Sequence, residues 1–272
     1  MTRRHAPTPW LAIAVLLAAC AVASVQARPA AAAPAGPLDA LDDAPAARLA
    51  DRLPTRPCPP FVRRCFKPVP EVPATRTLGG FLAYLRADLD RFWKARMSGT
   101  RFTWTTPRQV QLKQRPKRRT DCAAGLYADA KGGPFYCDRD RPATVFLPEP
   151  WLRRNLFPRG DFVKADFAIA YVVAHEWAHH AQGVQGILQD PALRGRQVEL
   201  MADCLSGVWA YSKFVSGELE PGDVAKALRE ARLVGDTPGV VGGGGAHGTP
   251  AQRAKWFRYG FSTGDPSSCA RR

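Results

Sequence analysis

The sequence predicts an α+β domain over residues 76–272, mainly helical with a small β-sheet, and three observations carry that prediction. Apolar residues recur at helical spacing in several stretches after residue 75. Two short pieces rich in β-branched and aromatic residues, RFTWTTPRQVQL and ATVFLP, lie between turn-forming residues. Upstream of residue 75 the composition is instead Ala, Pro and Arg, too Pro-rich to hold a regular core.

Taken in order, residues 1–27 read as an export signal: Arg3 and Arg4, an apolar run from Trp10 to Val25, and the small-residue exit VQA ending at Ala27. The run is short for a spanning helix. The alternative is a lipoprotein box, LAAC, with lipidation at Cys20. Residues 28–75 form a linker or pro-segment with room for a short helix between Leu38 and Leu53. The first core helix is expected in TLGGFLAYLRADLDRFWKARM, where Phe81, Leu82, Leu85, Leu89, Phe92 and Trp93 share a face. The two strand-like pieces follow, separated by a loop between Cys122 and Cys137. Asp166–Gln182 and Arg196–Val215 read as buried helices, and a third begins behind Pro221 with Val224, Ala227, Leu228 and Ala231 on one face. A glycine loop then leads to a last helix, with Thr249 as its N-cap and Pro250 in its first turn. No internal repeat is present.

The formal charge of +15 falls to +13 once residues 1–27 leave, because Arg3 and Arg4 go and no acid goes with them. Such an excess favours anionic surfaces, either envelope polymers or lipid headgroups. Nucleic acid is not expected: KQRPKRR from Lys113 to Arg119 has no interleaved aromatics and belongs to no nucleic-acid motif. Of seven cysteines, Cys20 belongs to the signal and six remain, an even number that suits an exported protein with three disulfides. The short spacings favour Cys58 with Cys65 and Cys122 with Cys137, which leaves Cys204 with Cys269; the alternative is that some of the six are free buried thiols.

The chemistry concentrates in AYVVAHEWAHHAQG, residues 170–183. His175 and His179 are four apart, so on a helix both imidazoles leave one face and can grip one cation, with Glu176 beside them as general base. A catalytic Zn2+ needs a third protein ligand and an open position for water, which Glu176 would deprotonate. His180 points off that face, and Gln182 and Gln185 occupy the Gly and last His positions of HExxHxxGxxH, so the third ligand should be an acid. In VELMAD, Glu199 and Asp203 are again four apart, twenty residues beyond His179, enough for a second helix to return antiparallel. That gives His175, His179 and Glu199 as metal ligands, and Asp203 as the carboxylate that orients a ligand histidine from behind.

HExxH followed by a helical ExxxD resembles the glutamate-ligand zinc peptidases, the gluzincins. More closely, AYVVAHEWAHHAQ, VELMADCLSGVWA, LEPGDVAKALREARLVGD, HGTPAQRAKWFRYGFSTGDPSSC and CAAGLYADAKGGPFYCDRD together resemble the bacterial putative neutral zinc metallopeptidase family, from about Leu78 to Cys269. Trp177 and Ala178 stand where that family usually has a smaller residue and Gly, which leaves the ligand positions intact. The resemblance implies a zincin-like fold and hydrolysis of a peptide or protein substrate.

Other residues keep open readings. His247, on the glycine hinge, is a hydrogen-bond donor to the oxyanion, a third metal ligand, or a solvated loop residue. Arg253 is a carboxylate or oxyanion partner, or a helix-surface charge. Trp177, Trp209 and Trp256 read as core aromatics, and Gly242–Gly245 lacks the context of a phosphate loop. ATVFLP is either a sheet edge for an extended peptide or a core strand. The expected protein is therefore an exported or envelope zinc peptidase. Its rival is a catalytically inactive, zinc-stabilised envelope-binding or scaffold protein whose fourth metal position is filled by protein. Cys204, next to Asp203, should staple the metal helix to the C-terminal segment, so that reduction loosens the site.

Overall fold

The structure is a computed structural model that describes residues 77–113, 118–122, 127–128, 132–157, 165–193, 195–220, 222–235 and 247–269. The expected export signal, Cys20, the segment 28–75, the Cys58–Cys65 pairing and the Gly242–Gly245 run lie outside the described residues.

Helix α1 (Leu78–Met97) starts where the Thr77 hydroxyl accepts the Gly80 N–H at 3.1 Å. Its buried stripe is Leu78, Leu82, Leu85, Leu89, Trp93 and Met97, each three or four residues from the last. Phe81 and Phe92, expected on that face, pack at its margin. Asp88 is buried in the stripe, where it accepts the Trp209 indole N–H and pairs with Lys213.

Strands β1 (Arg108–Leu112), β2 (Arg118–Arg119), β3 (Tyr127–Ala128), β4 (Phe135–Cys137) and β5 (Thr144–Pro148) follow. The sheet order is β1-β5-β4, with β5 parallel to β1 and antiparallel to β4, while β2 and β3 pair separately. Every residue of β5 is buried, so the apolar run TVFLP is a central strand and not an edge. The edges are β1 and β4. The alternation of β4 splits two environments: Tyr136 faces the helices, while Phe135 and Cys137 join Leu112, Val110 and Phe146 on the outer face. The predicted Cys122–Cys137 disulfide forms there. Within RFTWTTPRQVQL only the second half is a strand; Phe102 and Trp104 sit in the preceding loop and pack on the core.

Helix α2 (Glu149–Leu156), not expected from the sequence, has a Pro at its first turn and one buried residue, Leu152. Helix α3 (Asp166–Val184) is buried all round from Phe167 to Gln182, which explains its nearly unbroken apolar sequence. Then come α4 (Arg196–Ser216), α5 (Asp223–Leu233), α6 (Pro250–Thr263) and a closing turn, α7 (Pro266–Cys269). Thr249 and Gln252 form a reciprocal capping box at the start of α6. Helices α4 and α6 cross at two glycines: a methyl at Gly207 would overlap the Phe257 carbonyl oxygen, and one at Gly260 the Cys204 carbonyl oxygen. The Cys204–Cys269 disulfide forms as predicted and ties α4 to α7, the turn that follows α6. Trp177 and Trp209 are core, and Trp256 is packed partly against it. Among the described residues no helix is long and apolar enough to cross a membrane.

Candidate metal centre

Helix α3 brings Tyr171, His175, His179 and Gln182 to one side, since steps of three or four residues return to the same face. Their partners on α4 run in reverse order: Tyr171 and His175 reach Asp203, His175 and His179 reach Glu199, and Gln182 reaches Val198. The two helices are therefore antiparallel, and the twenty-residue step from His179 to Glu199 is what that return requires.

Each imidazole is fixed from behind. His175 Nδ1 lies 2.9 Å from an Asp203 carboxylate oxygen, and His179 Nδ1 lies 2.8 Å from the Gln182 side-chain oxygen. Both Nδ1 atoms donate to these acceptors, so in the neutral imidazoles both Nε2 atoms present lone pairs. Those atoms stand 3.2 Å apart, with Glu199 oxygens 3.1 Å from His175 Nε2 and 3.5 Å from His179 Nε2. One atom from each of His175, His179 and Glu199 falls within 4.8 Å of the others. With the imidazoles neutral, these acceptor atoms converge and repel unless a proton or a metal cation sits between them; Arg253 Nη2, 3.4 Å from His175 Nε2, adds positive charge beside them. Nitrogen and carboxylate donors in a His2Glu set suit Zn2+. The residues present thus fit the metal.

The electrostatics agree. Burial opposes ionisation of Glu199, yet His175 and His179 hold its carboxyl far below the usual carboxylate range. Burial works to lower His175, but Asp203 and Glu199 beside it outweigh burial and push it up to about 9, a demand for positive charge at this spot. Asp203, wholly buried, is held ionised against burial by Arg253 and His175. Arg253 donates to both its carboxylate oxygens, at 2.8 and 2.9 Å, and to the Val234 carbonyl at 2.9 Å. Tyr171 adds a third donor to Asp203 at 2.6 Å. The surface reading of Arg253 is thereby corrected: it is 4 % exposed and grips the carboxylate that orients His175.

Glu176 lines the same cleft, and burial raises its carboxyl. His247 is exposed at the cleft wall and lies outside the three-ligand group. His180 points away, as its one-residue offset requires: its Nδ1 accepts the Tyr136 hydroxyl and its Nε2 donates to the Thr105 carbonyl. The cleft holds about 410 Å3 and is walled opposite the histidines by Pro134, Phe135, Tyr136 and Trp151. Sequence reasoning missed Tyr171 and Gln182. Their signal was present, four residues before His175 and three after His179, but Gln182 was read only as the absence of a glycine.

The family profile described as putative neutral zinc metallopeptidase matches residues 71–271. Among curated proteins, the uncharacterized protein YpfJ of Escherichia coli K12 is 33% identical over 229 residues, 75% of this chain and 77% of that protein. The uncharacterized protein Rv2575 of Mycobacterium tuberculosis H37Rv is 38% identical over 166 residues, 52% of this chain and 56% of that protein. No solved structure matches the chain significantly.

Proposed function

Because the chain belongs to the putative neutral zinc metallopeptidase family, we propose that it is an exported zinc peptidase that cuts a peptide or protein substrate at the His175, His179 and Glu199 centre. The observation that carries this reading is the inward convergence of two bare imidazole nitrogens and one ionised carboxylate beside a buried glutamate in an open cleft. Zinc held by those three residues would supply Lewis acidity, making a water nucleophilic near neutral pH and polarising the scissile carbonyl.

The chain's own residues do the rest. Glu176, its carboxyl raised by burial, takes the proton of the attacking water and returns it to the leaving amine. Asp203 and Gln182 hold the imidazoles with their Nε2 atoms inward. Arg253 keeps Asp203 charged and in place. His247, on the cleft wall, donates a hydrogen bond to the carbonyl oxygen as it gains negative charge. The zincin-like fold, residues 1–27 as export signal and residues 28–75 as linker or pro-segment belong to the same proposal.

The test pairs zinc content with cleavage of an unbiased peptide library, comparing residues 28–272 with the Glu176→Gln protein. Both should bind one zinc, and the variant should lose at least about 100-fold in cleavage rate. Zinc in both with cleavage in neither, even after residues 28–75 are trimmed, would give the lead to a zinc-stabilised scaffold.

A further inference from the structure

The outer face of the sheet carries a second concavity, of about 760 Å3, separate from the metal cleft. Arg108 of β1, Arg118 and Arg119 of β2, and Arg141 line it, and all four residues are exposed. Val110 supplies apolar floor between them. The cluster is the local expression of a chain whose formal charge is +15. Arginine forks suit carboxylates, which they grip in pairs of charge-assisted hydrogen bonds.

One feature selects among anions. Asp140, also in the lining, is 6 % exposed; its Oδ1 accepts the Thr120 hydroxyl at 3.1 Å and the Asp121 N–H at 2.9 Å, while its buried Oδ2 has no partner. That oxygen is closed to solvent, so no ligand in the groove reaches it, but the Asp140 charge still lies in the lining beside the arginines and disfavours a ligand that is anionic along its whole length. An acidic polypeptide offers separate side-chain carboxylates to the arginines with an uncharged backbone between them.

The groove also adjoins the cleft. Asp138 lines the metal cleft and Asp140, two residues on, lines the groove. Arg141 Nη1 donates to the carbonyls of both, at 2.6 and 3.0 Å, so one tight turn separates the two sites. We propose that this arginine groove binds an acidic stretch of polypeptide, placed a few residues from the bond presented to the metal cleft; the second half of that statement rests on the peptidase reading.

Two readouts keep the groove and the peptidase apart. The zinc-loaded Glu176→Gln protein is titrated with a fluorescein-labelled peptide carrying six glutamates, and with the same peptide carrying Ser and Gly instead. The acidic peptide should bind about ten-fold tighter at physiological ionic strength and lose that advantage in Arg118→Gln/Arg119→Gln, whose melting temperature and zinc content should not change. In the protein with Glu176 intact, a glutamate tract added to a cleaved peptide should lower KM by a similar factor at constant kcat, again only while both arginines are present. Equal binding of the two peptides overturns the proposal, as does a preference that survives the double substitution. Oligogalacturonate or anionic vesicles that displace the acidic peptide at equal charge concentration would overturn it in favour of a glycan or a lipid surface. Preserved groove binding with no peptide ever cut would instead remove the peptidase reading alone.

Discussion

Two imidazole Nε2 atoms 3.2 Å apart, facing a carboxylate held ionised, make His175, His179 and Glu199 a trap for positive charge, whether a proton or a metal cation. Arg253 governs the trap from behind. Replacing it by Met leaves a wholly buried Asp203 carboxylate with one strong donor fewer, so the predicted result is a loss of roughly 10- to 100-fold in zinc affinity, measured against a chromophoric chelator. Lysine should recover only part, having no planar fork to serve both oxygens. A second residue gives a pH prediction. Glu230 is 4 % exposed, and burial, only partly offset by Arg253 and Arg229, pushes its carboxyl up to about 7. Between the ordinary glutamate range and about 7 the folded state holds a proton that the unfolded chain has lost, so stability falls as pH rises through that window and levels off above it. Glu230→Gln should remove this slope, worth up to roughly 3 kcal/mol, and raise the melting temperature at pH 8 relative to the parent. Equal melting-temperature shifts at pH 5 and pH 8 would contradict it. The proposed ligands were legible because a four-residue step on a helix fixes two side chains to one face. Arg253 was not, because sequence does not tell which side of α6 meets α4.

At the scale of elements, the proposed metal ligands depend on where α6 crosses α4, and that distance is set by Gly207 and Gly260. Gly260→Ala places a methyl against the Cys204 carbonyl, on the helix that carries Glu199 and Asp203. The helices must separate, at a cost of roughly 3 kcal/mol. Because Arg253 rides on α6, its grip on Asp203 should slacken as well, so urea unfolding and zinc affinity should both weaken. An exposed control, Gly99→Ala, has no neighbour in reach and costs only its positive φ of 76°. Helices 166–184 and 196–216 could be read because burial leaves long, mostly apolar runs in them, Phe167 to Gln182 in the first and Leu200 to Ala210 in the second. Helix α2 could not, since eight residues with a single buried leucine carry no period. The strand β4 was equally hidden, at three residues. Whether ATVFLP was centre or edge depended on this third strand, and no local pattern encodes a partner.

For the molecule as a whole, the Cys204–Cys269 bond ties the metal helix to the end of the described chain across a sequence separation of 65. Closing a loop of that length restricts the unfolded chain by about 4 kcal/mol in the chain-entropy account. In a domain of this size, Cys204→Ala/Cys269→Ala should lower the melting temperature by roughly 8–16 °C. The expectation that reductant loosens the site needs refinement. Cys204 is wholly buried and Cys269 is 1 % exposed, so a thiol reagent reaches the bond only when the region opens. Native protein in reductant should therefore keep its zinc affinity for as long as it stays folded, and lose it together with the disulfide once mild denaturant permits opening. The double variant should show the loss outright. Bound zinc stabilises only the folded state, so saturating metal should return part of the lost melting temperature. If the variant melts like the parent, α4 and the C-terminal segment of α6 and α7 are held together by their packing alone. If it melts lower but binds zinc with undiminished affinity, the staple supports the fold without supporting the ligand geometry, and Arg253 carries that geometry by itself.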